Sequence, residues 1–270
     1  FLGNNGAGKT TTMKMIVGLT PVSSGKIQLF GEPQCISKHL KRVGTTIEAP
    51  GFYGNLTAEE NLWVFMRLHG MNDKKKINEL LQTGGLKDAG HQKVKTFSMG
   101  MKQRLAIVRA LIHDPDLLIL DEPINGLDPN GIMETRELLL RLKAERGVTM
   151  MISSHILSEV EQLVDRIGIV HQGALLEETD METFRKKRLK RMELQVDKPD
   201  VAVRVLQEKW GIRARQNQRG GLFINDVTHP SAGINQSLVE SGIGVSRLWL
   251  HEQSMEDYFM SLTNGRGQAC

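Results

Sequence analysis

Gly3-Asn4-Asn5-Gly6-Ala7-Gly8-Lys9-Thr10 follows the pattern G-x-x-x-x-G-K-[ST], and its reading decides the fold. Its glycines let the backbone curl so that successive N–H groups converge on phosphate oxygens. The helix expected over Thr10–Leu19 turns its positive N-terminal end toward the same anion. Lys9 then reaches the β- and γ-phosphates of a nucleotide as a point charge, and the Thr10 hydroxyl is placed to ligate Mg²⁺. Only Phe1-Leu2 precede the motif, with no initiator Met and no basic-then-apolar leader. The sequence is therefore read as a fragment whose supporting strands lie upstream.

Working outward, Pro115-Asp116-Leu117-Leu118-Ile119-Leu120 is a short apolar run launched by a proline, the signature of a buried strand. It ends in Asp121-Glu122-Pro123. Ligands of open α/β sheets gather at the carboxyl ends of strands, where this acidic pair falls. Asp121 suits Mg²⁺, held through water, and Glu122 suits the base that polarises an attacking water. Taken alone, the pair would read equally well as two acids opening a surface turn; the phosphate loop upstream tips the reading toward chemistry.

Composition sets the outer bounds. The 270 residues are 40% hydrophobic and 24% charged, ordinary globular values that exclude a disordered chain. Apolar runs of about five to seven residues are far short of the roughly 20 that a membrane helix requires. Lys plus Arg exceed Asp plus Glu by 35 against 31, so net charge demands no polyanionic partner. Cys35 and Cys270 have neither disulfide-framework nor zinc spacing, which fits a reducing cytoplasm.

Three further stretches carry a resemblance. Phe97-Ser98-Met99-Gly100-Met101-Lys102-Gln103-Arg104 opens a helix expected to run to about His113. Ile124-Asn125-Gly126-Leu127-Asp128 follows the acidic pair, and Ser153-Ser154-His155 follows the strand Val148–Ile152. With the phosphate loop and the acidic pair, these resemble in order and spacing the ATP-binding cassette (ABC) ATPases, over Gly3 to about Gly173. The resemblance implies an α/β fold: a P-loop NTPase (RecA-like) parallel-sheet core with an inserted helical subdomain at about 48–113. It implies ATP as substrate and Mg²⁺ as its companion, with nucleotide contacts from Gly3, Asn4, Asn5, Gly6, Ala7, Gly8, Lys9, Thr10 and Thr11. Ser98 and Gly100 would serve the site of a paired cassette, Asp128 would lie in a dimer-interface loop, and His155 would be the catalytic switch histidine. The aromatic that stacks on adenine in this family would lie upstream of residue 1.

Glu48, after Val43-Gly44-Thr45-Thr46-Ile47, departs from the family's usual glutamine, which touches metal and attacking water. Glu48 together with Ser98-Met99-Gly100-Met101-Lys102-Gln103-Arg104 resembles the bacitracin-resistance and lantibiotic-immunity branch. A carboxylate is a harder ligand for Mg²⁺ than an amide, which makes Glu48 a candidate catalytic and metal-binding residue; the competing reading is a solvated loop glutamate. Phe52, Tyr53, Trp63 and Phe65 offer either a surface for a membrane partner or, for the two helical aromatics, core packing.

The cassette is assigned to 1–180. Arg185-Lys186-Lys187-Arg188-Leu189-Lys190-Arg191 is read as a basic linker, 181–192, rather than as a nucleic-acid or lipid contact, because no aromatics interleave it. From 193 to 270, strand, helix, strand, Gly220-Gly221 turn, strand, helix and strand spell a split βαβ, ferredoxin-like α+β domain with a last helix at Ser254–Leu262. It carries no catalytic constellation and is read as accessory.

The resemblance implies the ATPase subunit of a multi-subunit exporter of a peptide antibiotic or similar drug, acting as a homodimer or paired subunit on separate permease subunits at the cytoplasmic face of the membrane. No nucleic-acid partner is expected. The alternatives are a non-transport cassette ATPase acting on ribosomes or nucleic acid, and a degenerate regulatory subunit. Chromosome-type ATPases insert a coiled coil between the phosphate loop and the acidic pair, whereas Lys9 and Asp121 are 112 residues apart with no sustained heptads. Degeneracy is disfavoured by the presence of Lys9, Asp121, Glu122 and His155 together.

Overall fold

The computed structural model describes residues 1–48, 51–187, 190–216, 221–225 and 229–264. The chain divides into two compact units, Phe1–Thr179 and Asp180–Cys270.

In the first unit Leu2 takes a strand's place, bridging in parallel to Ser154 and to Ile169. Its N–H donates to Gly168 O at 2.8 Å and its carbonyl accepts from Val170 N at 2.7 Å. The phosphate loop leads from there into α1 (Lys9–Ile16). This helix stops short of Leu19 because Gly18 adopts φ 74°. The Leu19 N–H then reaches back to Lys14 O at 2.8 Å, closing the helix in a left-handed cap. A small hairpin, β1 (Gln28–Leu29) and β2 (Glu32–Pro33), and a single helical turn, α2 (Ile36–His39), precede β3 (Val43–Thr46).

Helices follow: α3 (Ala58–Leu68), α4 (Lys74–Thr83) and α5 (Met99–Ala110). Thr57 and Glu60 close a capping box at the start of α3, and Asp73 accepts from the N–H groups of Lys75 and Lys76 at the start of α4. Leu62, Met66, Ile77, Leu80, Leu105 and Val108 are fully buried between these helices. Phe52, Trp63 and Phe65 pack against that core, while Tyr53 is exposed.

The chain re-enters the sheet at β4 (Leu117–Asp121), then runs through α6 (Pro129–Arg146), β5 (Thr149–Ser153), the short α7 (Leu157–Val160), β6 (Arg166–His171) and β7 (Ala174–Asp180). Strands β3, β4 and β5 are parallel in that order, with Thr46 opposite Leu120 and Asp121 opposite Ser153. Leu118 and Leu120 join the core of α5 and α6, whereas Ile119 joins Met13, Val17 and Val43 on the other face. A strand covered on both faces reads as a continuous apolar run, which explains why β4 was so legible.

The second unit begins with a correction. Residues 181–192, expected as a basic linker, hold α8 (Met181–Lys187) and the start of β8 (Lys190–Val196), with Arg188 and Leu189 outside the described residues. Met181 and Phe184 are buried one helical turn apart, and Asp180 accepts from the Thr183 N–H at 2.7 Å. The density of Lys and Arg concealed that cap and that apolar pair. After β8 come α9 (Pro199–Trp210), β9 (Ala214–Gln216), β10 (Gly221–Asn225), α10 (Ser231–Glu240), β11 (Val245–Glu252) and α11 (Met255–Asn264). The sheet order is β11-β8-β10-β9 with every neighbour antiparallel, the ferredoxin-like arrangement. Met192, Leu194, Leu222 and Ile224 face Leu206, Ile234 and Leu238 of its helices. Gly220 of the expected turn and Val227 of the expected strand lie outside the described residues. Among the described residues, no helix is long and apolar enough to cross a membrane.

Candidate nucleotide-hydrolysis site

Gly3 sits where the Leu2 segment turns into the phosphate loop, and a Cβ there would stand 2.4 Å from the Val170 carbonyl oxygen. No other residue fits without moving backbone. Gly8 adopts φ 102° as the N-cap of α1, a conformation that L side chains avoid. The loop is anchored by Ala7, whose N–H donates to Asn4 O at 3.1 Å and whose carbonyl accepts from Gly173 N at 3.0 Å. Asn4, Asn5, Gly6 and Thr11 are exposed around it, while Ala7 and Lys9 are buried.

Lys9 is only 6% exposed. Its Nζ donates to Gly3 O at 2.6 Å and Asn4 O at 3.3 Å, and lies 3.2 Å from Glu122 Oε1. The ammonium is thus held among oxygens at the mouth of a curled backbone, where a phosphate offers the same kind of partner. One residue on, the Thr10 hydroxyl donates to Asp121 Oδ2 at 2.7 Å. These are hard oxygen donors, one neutral and one charged. Among the described residues no cluster of three or more His, Cys, Asp or Glu side chains could hold a metal. A lone carboxylate with a hydroxyl fits Mg²⁺, which takes few protein ligands and fills its shell with phosphate and water.

Asp121 ends β4 and Glu122 steps out of the strand with φ 48°, left-handed for a residue with a Cβ. That turn brings the Glu122 carboxylate back toward Lys9 and, through Oε2, to His155 Nδ1 at 2.8 Å and His155 N at 3.3 Å. Glu122 therefore lies between a cation that the loop supplies and an imidazole that follows β5. Such a carboxylate can accept a proton from water while the imidazole keeps it oriented. The sequence pointed to Glu122 and His155 separately; their direct bond is new. It also missed Ser153, whose Oγ donates to Asp121 Oδ1 at 2.6 Å and accepts from Glu122 N at 2.9 Å.

Glu48 lies two residues past Thr46, at the same end of the sheet as Glu122. Its carboxylate is 65% exposed and pairs with Lys14 on α1; none of its hydrogen bonds reaches Thr10, Asp121 or Glu122. Ser98 and Gly100 lie on another element. Ser98 caps α5, its Oγ accepting from Met101 N at 3.2 Å. Gly100 is buried where α5 crosses α6, with the position of a Cβ only 3.2 Å from Gly131 Cα. Neither bonds to the phosphate loop of its own chain.

Residues 1–125 match the family described as ABC transporter. Over 269 residues the chain is 46% identical to the bacitracin transport ATP-binding protein BcrA of Bacillus licheniformis, covering 98% of this chain and 88% of that one. The chain belongs to the ATP-binding subunits of ABC transporters. It is 47% identical over 180 residues to the lantibiotic transport ATP-binding protein SrtF of Streptococcus pyogenes, covering 67% of this subunit and 77% of that one. A solved structure titled as an ATP-binding subunit of an ABC transporter superposes with a TM-score of 0.58 at 31% identity, covering 69% of this subunit and 80% of that chain. The subunit is accordingly an ATPase that works with a transporter, and the parallel-sheet fold expected from the phosphate loop is the one it has. Nothing in these relatives favours a ribosomal or nucleic-acid role.

Proposed function

We propose that this subunit binds MgATP at Gly3–Thr11 and hydrolyses it to drive export of a peptide antibiotic through a separate permease at the cytoplasmic face of the membrane. The observation that carries the hydrolytic half is the junction of Lys9, Glu122 and His155, with Glu122 Oε1 3.2 Å from Lys9 Nζ and Oε2 2.8 Å from His155 Nδ1. Lys9 would exchange its loop carbonyls for phosphate oxygens, freeing Glu122 to accept a proton from the attacking water. Thr10 and Asp121 would hold Mg²⁺, which offsets charge on the leaving phosphates.

The transport half rests on the bacitracin and lantibiotic transport proteins among the relatives. Two subunits would pair so that Ser98 and Gly100 of one close the nucleotide site of the other. Exposed Tyr53, on the loop beyond Glu48, would face the permease. Glu48 would act on metal through its charge if nucleotide binding releases it from Lys14, and Asp128 would lie along the pair's interface.

Glu122→Gln tests the hydrolytic assignment. It is expected to abolish turnover while ATP affinity stays near that of the parent, because the carboxylate acts on water in the transition state. Unchanged turnover in this variant would remove Glu122 from the mechanism.

A further inference from the structure

We infer that Ser153 is a positioning residue of the hydrolytic site, acting through both carboxylates and touching neither nucleotide nor metal. The inference deepens the reading given above and rests on it. Ser153 is the last residue of β5, fully buried, and stands directly opposite Asp121 in the parallel register. Its Oγ gives its one proton to Asp121 Oδ1 at 2.6 Å and accepts the Glu122 N–H at 2.9 Å. A single hydroxyl thus bonds to the side chain of one acidic residue and to the backbone of the next.

Asp121 is gripped at both oxygens: Oδ1 by Ser153 on β5 and Oδ2 by Thr10 on α1, the latter at 2.7 Å. Two hydroxyls on different elements leave that carboxylate little rotational freedom. The Ser153 bond ties the carboxylate to β5 and the Thr10 bond ties it to the phosphate-loop helix, so Ser153 keeps it aimed from the sheet side whatever partner meets Oδ2. At Glu122 the need is different. Its backbone has φ 48°, a left-handed turn that a residue with a Cβ adopts only under strain. The bond from Glu122 N to Ser153 holds that turn in place, and the turn directs the Glu122 side chain at Lys9 and His155. Loss of the hydroxyl leaves the half-buried Glu122 N–H without that partner and one Asp121 carboxylate oxygen without its donor.

A purely structural serine would change stability alone; a positioning serine also changes metal dependence. The test uses the full subunit with its permease, comparing the parent with Ser153→Ala and Ser153→Thr. For Ser153→Ala, kcat is expected to fall roughly tenfold or more, the scale for losing a hydrogen bond to a charged group. The Mg²⁺ concentration for half-maximal activity is expected to rise severalfold. Without turnover, equilibrium titration of ATP should show an unchanged affinity in EDTA but a smaller gain on adding Mg²⁺. Ser153→Thr, which keeps the hydroxyl, should restore the Mg²⁺ response. If Ser153→Ala melts below assay temperature, Ser153→Cys, which fills the volume but donates weakly, takes the same measurements. Parental kcat and an unshifted Mg²⁺ curve in a folded Ala or Cys variant would overturn the inference. A parent that neither binds nor hydrolyses MgATP would instead overturn the functional reading beneath it.

Discussion

Lys9 and Gly3 illustrate how narrowly the site constrains single residues. Lys9 is a buried cation whose partners are two backbone carbonyls and the Glu122 carboxylate. Such a charge is tolerated only while it is paired, and phosphate oxygens are the partners that nucleotide brings. Lys9→Ala is therefore expected to weaken ATP binding itself, in contrast to Glu122→Gln, and a titration giving parental affinity would contradict it. Gly3 has no freedom of another kind. An added Cβ would lie 2.4 Å from the Val170 carbonyl, so the backbone of the loop or of β6 has to shift. Gly3→Ala is expected to destabilise the chain by about 1–3 kcal/mol, the usual cost of overpacking. A denaturant midpoint equal to the parent's would show that the loop gives way freely.

Between residue and whole, α5 is the element through which the helical segment grips the sheet. Near its C-terminal end Arg109 donates to Gly51 O at 3.1 Å and places its guanidinium 5.1 Å from the Phe52 ring and 4.7 Å from Phe65. Burial lowers its pKa from the ordinary arginine value. The helix that begins at Ser98 is thus tied to the loop that follows Glu48. Arg109→Ala should lose about 1–3 kcal/mol from the combined ring contacts and hydrogen bond. Arg109→Lys should recover only part, since an ammonium cannot lie flat between two rings. Equal denaturant midpoints for both variants would contradict that difference.

Just beyond α5, His113 stacks on His69 with ring centroids 4.5 Å apart, and its Nε2 lies 3.2 Å from Val43 O. Burial first, then the charge of His69, lowers the His113 pKa below its ordinary 6.5. The folded chain then binds fewer protons than the unfolded one, so this contribution to stability is complete above the unfolded pKa. It is lost as pH falls through that value toward the folded pKa. His113→Gln should flatten the acid side of the stability profile relative to the parent, and parallel melting curves across that range would refute it.

Elements were legible where one signal governed them. The apolar run of β4 and the βαββαβ order of the second unit both read directly from local pattern. The hidden features were tertiary. Nothing in the spacing told that Glu48 turns to Lys14, that one hydroxyl of Ser153 spans two acidic residues, or that Phe184 under a coat of Lys and Arg belongs to a helix. Each depends on a partner brought close by the sheet register or by packing, which periodicity does not encode.

At the scale of the molecule, the proposed pairing asks for residues that one chain keeps apart. Lys9, Thr10, Asp121, Glu122 and His155 converge within the first unit, while Ser98 and Gly100 are engaged with Met101 and Gly131 and bond to none of them. That separation is what a paired arrangement requires, since the residues facing the γ-phosphate then come from the other chain. Complementation between two defective chains measures it. Lys9→Ala disables the loop of its own chain and leaves Ser98 intact; Ser98→Arg does the reverse. Each variant alone, assembled with permease, contains only damaged sites and should be inactive. In a mixed pair one site combines both lesions, but the other joins an intact Lys9 to an intact Ser98. The mixture is therefore expected to regain turnover that neither variant shows. Ser98 is also the cap of α5, so its loss costs about 1 kcal/mol of helix stability, and a melt must first show that Ser98→Arg is folded. With both variants folded and no activity recovered at any mixing ratio, Ser98 would not serve the site of a partner, and the paired arrangement would fall.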